Sequence, residues 1–453
     1  MHRSWAPLAV AVLLGLGSVA CGGKQKDSNL PTGTRVDTPS TGGPGAVYSP
    51  GGQQYAVTDA PSSGEAATNR PRMNAQAQAS YQAGMSAFQA GDLQGARQQF
   101  TQATESDPKA YQAFYSLGVV KERLGEVSGA MSSYQKAVSV VPDYEPAIVG
   151  YAVLAARSGK GGEAESFLNS KAAKMPKSAA VPAAMAEVKS IQGDSAEAQK
   201  YAREALKKNP DYRPAMIVIA RDHYRRRRLD LALYTLQAVL DGFGDENPAR
   251  DKDNAEARLL RALIYKEQGN RKGAMEDFEA AMKTRPDLVE AQVHLASYHL
   301  EAGNATTAAQ LLETALKYDK NNVLARLNLG DAYRLLGKTT EAKKELEWVV
   351  SKDPQLAEVH YNLGLLYLFS ASVPGVSEGQ AVDKAISEFE TFKKMKPRAK
   401  PGEKDDTDEL ITRAKTKKAI IDSKAAEKPK PAASSGATSG GSTGSMPDSG
   451  AKK

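Results

Sequence analysis

The chain has 453 residues, 41% of them hydrophobic but only 6% aromatic, a balance that suits an alanine-rich helical protein better than a β-sandwich. Lysine and arginine (60) nearly match aspartate and glutamate (53), and the net charge of +7 falls well short of a nucleic-acid-binding signature. The single cysteine, Cys21, excludes disulfides and thiolate metal sites from the body, so packing alone must stabilise it.

The first element, residues 1–20, has the plan of an export signal. Arg3 supplies a positive start, Ala6–Leu16 an apolar run, and Ser18-Val19-Ala20 small residues before a cleavage point. The apolar run is too short to remain as a bilayer-spanning helix. Ser18-Val19-Ala20-Cys21-Gly22 resembles a bacterial lipobox, although Ser18 stands where leucine is usual. The resemblance implies cleavage before Cys21 and acylation of that cysteine; an ordinary peptidase site beside an incidental cysteine is the alternative. Several acyl chains on one residue would anchor the protein stably, at about 0.8 kcal/mol per buried methylene. Gly22 is not the aspartate that marks inner-membrane retention in enterobacteria, which favours the outer membrane and a periplasm-facing body.

Residues 21–72 are dominated by Gly, Pro, Ser, Thr, Asp and Gln with no apolar period, and are predicted to form a disordered tether. Order is expected to begin near Ala77. Prolines then recur at Pro108, Pro142, Pro176 and Pro210, always 34 residues apart. Numbering each unit so that this proline is position 32, position 8 holds Gly84, Gly118, Ala152 and Ala186. Position 15 holds Gly91, Gly125, Gly159 and Gly193, position 20 holds Ala96, Ala130, Ala164 and Ala198, and position 24 holds Phe100, Tyr134, Leu168 and Ala202. Small residues at 8 and 20 let two helices cross closely, glycine at 15 ends the first helix, and proline at 32 stops the second. Fixed self-similarity at this period and with this signature resembles the tetratricopeptide repeat (TPR), which implies an all-α solenoid of helix–turn–helix units.

Nine units are expected between 77 and 399, starting near residues 77, 111, 145, 179, 213, 255, 289, 323 and 357. Two insertions break the register: eight residues through Gly242–Asn254, and nine around Ser370–Gly379. Residues 405–424 read as a capping helix that opens with acids, and 425–453 as a second disordered segment.

In the TPR family, positions 2, 5, 9 and 12 line a concave groove that holds helices or extended peptides of partners. The resemblance therefore nominates Tyr81, Met85, Phe88, Tyr115 and Val119 near the start. It nominates Arg221 and Tyr224 in the middle, and Asp331, Arg334, Tyr361 and Leu365 towards the end, with Arg225 added from the arginine run that follows Tyr224. Such residues equally serve helix-on-helix packing. No unit has asparagine at position 9, which argues against a clamp for chaperone C-termini. Arg225–Arg228 closes the first helix of unit five, where cations suit the helix dipole and could also dock an acidic partner. His294 and His299 are five residues apart, a poor zinc pair. No nucleophile–base constellation, phosphate loop or metal cluster is evident, so neither a cofactor nor catalysis is expected.

The layout of lipobox, polar tether and long repeat array is similar to that of TPR lipoproteins of the adventurous gliding-motility machinery. It implies a lipid-anchored periplasmic scaffold that binds other envelope proteins, with membrane contact through Cys21 and no nucleic acid or small-molecule substrate. A pilotin-like or outer-membrane assembly lipoprotein, or an activator of a cell-wall enzyme, are the competing functions.

Overall fold

The computed structural model describes residues 70–396 and 406–426. The leader with Cys21, nearly all of the tether, Pro397, the end of the ninth unit at 399, and the tail beyond 426 lie outside the described residues. What is described is helical: nineteen helices and no strand, with two isolated β-bridges, Gly242–Pro248 and Val373–Val376, each in one of the insertions.

Eighteen helices form nine antiparallel pairs. The first three pairs are α1 (Ala75–Gln89) with α2 (Leu93–Ser106), α3 (Tyr111–Arg123) with α4 (Val127–Val140), and α5 (Glu145–Arg157) with α6 (Gly161–Lys174). Next come α7 (Ala180–Ile191) with α8 (Ser195–Lys208), α9 (Arg213–Arg225) with α10 (Leu229–Leu240), and α11 (Ala255–Glu267) with α12 (Arg271–Thr284). The last three are α13 (Val289–Glu301) with α14 (Ala305–Tyr318), α15 (Val323–Leu335) with α16 (Thr339–Lys352), and α17 (Ala357–Phe369) with α18 (Glu378–Met395). A nineteenth helix, α19 (Thr407–Ala426), packs on α18 and buries Leu410, Ile411 and Ala414.

The pairs close because their contact residues are small. Alanine occupies position 20 in all nine units, from Ala96 to Ala385, and each is fully buried. Position 24 packs back on position 8 of its own unit and also reaches the next one, where Tyr134 lies against Gly150 and Phe278 stacks on His294 at 5.2 Å. A Cβ on Gly84 would sit 2.7 Å from the Phe100 ring, one on Gly118 2.6 Å from Tyr134, and one on Gly364 2.6 Å from Phe389. The sequence couples the two positions. Glycine faces an aromatic in units one, two and nine, whereas units three, five and seven combine alanine with Leu168, Leu236 and Leu312. Units four, six and eight depart from this, with Ala186 and Ala202, Ala262 and Phe278, and Gly330 and Leu346.

The turn inside each pair needs a left-handed residue, since the chain must reverse at once after the first helix. Glycine fills it at φ between 72° and 82° in seven of the nine units, from Gly91 to Gly337. Unit five instead carries Arg227 at φ 61°, and no other described non-glycine residue has a positive φ. Arg227 also pairs with Glu267, so the backbone effect is read between two variants that both lose that pair. We expect Arg227→Gly to be more stable than Arg227→Ala by about 1 kcal/mol, because a side chain in this region costs backbone energy that glycine avoids. Urea unfolding of the two variants checks it, and equal stability would contradict the strain.

Seven of the nine second helices end at position 30 of their unit, whether or not proline follows; α10 stops earlier, at Leu240, and α18 follows the second insertion. Unit seven has Lys320 at position 32, yet α14 stops at Tyr318. The stop is made there by Asp319, whose carboxylate accepts from the Asn321 amide at 3.1 Å. Asp107, Asn209 and Asp353 make the same turn in their units. This acid or amide at position 31 is a second stop signal that the proline pattern concealed. The insertion in unit nine forms a short turn at 370–377 and lengthens α18 to 18 residues, opened by a Ser377–Gln380 capping box.

Candidate partner-binding groove

The first helices of the pairs carry the twelve nominated residues, and most of them are buried. Tyr81, Met85, Phe88, Val119, Arg221, Tyr224, Asp331, Tyr361 and Leu365 are each at most 9% exposed. Tyr115, Arg225 and Arg334 are half-buried.

At the start of the array the cause is aromatic packing. Tyr81 lies on Phe100 with ring centroids 5.6 Å apart, and Tyr115 touches Tyr134 and Tyr144, each at 5.8 Å. At the end the cause is the cap. The Tyr361 hydroxyl donates to Asp406, just before α19, at 3.0 Å. Burial and that carboxylate push the phenol well above its ordinary pKa. Asp331 is fully buried and takes Arg334 at 2.6 Å, so this pair is spent within its own helix.

In the middle of the array the nominated charges form a buried belt. Arg221 donates to Glu187 of unit four at 2.6 Å, and its second nitrogen lies 4.0 Å from Glu256 of unit six. Burial raises the pKa of Glu256, against the pull of Arg221, Arg285 and Arg157. Glu122 is likewise raised by burial, opposed by Arg157, by a 2.6 Å hydrogen bond from Tyr134 and by Arg123. Arg225 bonds Ser190, and its burial draws the guanidinium down to about 10. The remaining arginines of the run, Arg226 to Arg228, are exposed.

The array also curls until its first units meet its sixth and seventh. Arg123, closing α3, donates to Asp287 at 2.7 Å across 164 residues, and Arg285 holds the same carboxylate at 2.6 Å. All three residues are at most 7% exposed. The Tyr318 hydroxyl donates to the Gln89 carbonyl at 3.0 Å, its ring lies 6.4 Å from Phe88, and Lys317 lies under Gly91. Phe88, nominated for the groove, is thus a closure residue. The concave side between units two and seven is consequently occupied by the protein's own charges. Asp287 and Arg285 lacked any signal in the repeat pattern, because both fall in the link between units, whereas Glu256 stands at groove position 2 of unit six and was not nominated. Only a curled array brings them together.

A solenoid of helix pairs whose inner side carries charged and aromatic residues is typical of proteins that hold other proteins. Profiles of the tetratricopeptide repeat match residues 81–145, 184–248, 255–288 and 299–366, just over half of the chain. The chain belongs to the tetratricopeptide-repeat family.

Among solved structures, the anaphase-promoting-complex hetero-tetramer Cut9–Hcn1 is 16% identical, over 78% of this chain and 79% of that one, with a TM-score of 0.47. A tetratricopeptide repeat protein from Parabacteroides merdae is 15% identical, over 76% of this chain and 100% of that one, with a TM-score of 0.28. The type IV pilus biogenesis factor PilW is 22% identical, over 49% of this chain and 99% of that one, with a TM-score of 0.32. A comparison with curated protein sequences gave no match.

Proposed function

We propose that this protein is a lipid-anchored scaffold of the cell envelope, tethered through Cys21, whose repeat array holds components of a multiprotein machine such as that of gliding motility. The observation that carries the reading is the extent of the array. Nine capped repeat pairs occupy nearly all the described residues, and they follow a leader-like stretch that ends at the one cysteine. The tether between Cys21 and α1 gives the array reach from the membrane. The protein acts by binding, without a catalytic step of its own. Of the nominated groove residues, Tyr115, Arg225 and Arg334 are the least buried, but Arg225 is held by Ser190 and Arg334 by Asp331, so a partner meets the groove chiefly through its other exposed side chains.

Two measurements test this. Cys21→Ala is expected to move the protein from membranes to the soluble fraction with its helical circular dichroism unchanged; retention on membranes overturns the anchor. Crosslinking in intact cells, followed by purification from detergent-solubilised envelopes, is expected to recover motility-machine components. Recovery of secretin or outer-membrane barrel proteins points instead to assembly, and recovery of a peptidoglycan synthase or hydrolase to enzyme activation. Recovery of no partner ends the binding account.

A further inference from the structure

We infer that the outer face of unit five is a self-association surface through which two copies of this chain pair about a two-fold axis at Tyr234. Exposed large apolar side chains are few among the described residues, and three of them lie together here. Leu231 is 48% exposed, Tyr234 63% and Phe243 41%. Leu231 and Tyr234 are three residues apart on the outward side of α10, where such pairs are neighbours. Phe243 comes from the first insertion, and its ring lies 4.9 Å from that of Tyr234.

The insertion spends its polar groups on holding that ring outward. The Phe243 amide donates to the Asn247 carbonyl at 2.7 Å, and the Asp251 amide to the Val239 carbonyl at 2.8 Å. Arg250 donates to the Ala238 carbonyl at 3.0 Å and pairs with Asp211 at 2.9 Å. A solvated loop needs none of this to keep a phenylalanine in water. An interface does.

The charges around the patch select the occupant. Arg226, Arg227 and Arg228 are exposed where α10 begins; Arg226 lies 3.8 Å from Asp222 and Arg227 pairs with Glu267, so Arg228 carries most of the charge this end offers to a second copy. Asp245 and Glu246 are exposed where α10 ends, and Asp241 beside them, also exposed, is already paired with Arg261 at 2.5 Å. Tyr234 is the midpoint. Arg228 precedes it by six residues and Leu240 follows it by six, about 9 Å each way at 1.5 Å per residue. A two-fold axis across Tyr234 lays α10 antiparallel on its copy. Each arginine cluster then meets the other copy's acidic loop, the apolar side chains meet at the centre, and the two helix dipoles oppose. A face complementary to itself under one rotation fits a second copy of the same chain. The patch is small, so association in the micromolar range is expected.

Sedimentation velocity on the full chain in detergent, over a concentration series, tests the pairing. Reversible dimerisation is expected. Tyr234→Glu and, independently, Phe243→Ser should weaken it at least about tenfold, since an exposed apolar contact is replaced by a buried polar group, with thermal melting unchanged. The double variants Arg226→Glu/Arg228→Glu and Asp245→Lys/Glu246→Lys should each be monomeric alone, because like charges then face each other. Mixed, they should form a heterodimer, because both of its charged contacts are complementary. A monomer throughout the series, a dimer indifferent to Tyr234→Glu and Phe243→Ser, or a charge-swapped mixture that stays monomeric overturns the inference.

Discussion

Replacing Asp287 by alanine is expected to destabilise the protein by about 3–5 kcal/mol. The carboxylate is 3% exposed and neutralises two guanidiniums that are themselves buried, Arg285 beside it and Arg123 from unit two. Removing one member of such a set leaves uncompensated charge without water, and that penalty dominates. Arg123→Ala should cost less, since Asp287 keeps Arg285. Its distinct effect should be on the closure. Hydrogen exchange in α1 and α2 is expected to rise while the helices of units eight and nine stay protected, because unit one meets unit seven only through the closure, whereas unit eight packs on it as its neighbour in the array. Equal exchange throughout the chain would show that the contact does not hold the array shut.

The same group gives a pH dependence with a definite sign. Burial alone would raise the Asp287 carboxyl, but Arg285 and Arg123 outweigh it and hold it at about 2, below its ordinary 3.8. A depressed carboxyl stabilises the fold fully above its unfolded pKa and ceases to do so as pH falls through its folded one. Stability should therefore drop between about pH 4 and pH 2, and this part of the drop should vanish in Asp287→Ala. An acid-unfolding curve identical in the two proteins would refute the assignment.

Phe389→Ala in unit nine should cost about 3–5 kcal/mol, the range for emptying a fully buried aromatic site. The coupling between positions 8 and 24 makes a sharper expectation. Gly364→Ala alone should destabilise by about 1–3 kcal/mol, since its Cβ would meet the Phe389 ring at 2.6 Å. Phe389→Leu alone should leave a gap over Gly364. Together the two changes reproduce the alanine–leucine pairing of units three, five and seven, and should cost less than their sum. A double-mutant cycle in urea that returns strict additivity would show that the pairing is incidental.

The helix pairs were legible in the sequence because each is set within 34 residues. Small residues at 8 and 20, a left-handed turn at 15 and a helix stop near 32 act over one or two turns of chain, so their spacing survives as a visible period. Legibility failed where one signal stood in for another. The stop of α14 at Asp319 needs no proline, and the turn of unit five accepts Arg227 in place of glycine. The groove was legible as a set of positions but not as a surface. Position 9 holds valine, glutamate, arginine or aspartate in different units, and nothing local says which of these will meet a neighbour.

What only the tertiary structure decided is how far the array curls. Curvature is the sum of small rotations at each junction between pairs, and no single residue encodes it. The sum brings Arg123 to Asp287 and Tyr318 to Gln89, turning presumed groove positions such as Phe88 and Arg221 into internal contacts. The sequence by itself determined that the chain is a run of nine helix pairs closed by a final helix, since close packing of small residues leaves each pair one way to form. It also leaves Cys21 as the one thiol in the chain, to which the proposed lipid attachment is therefore confined.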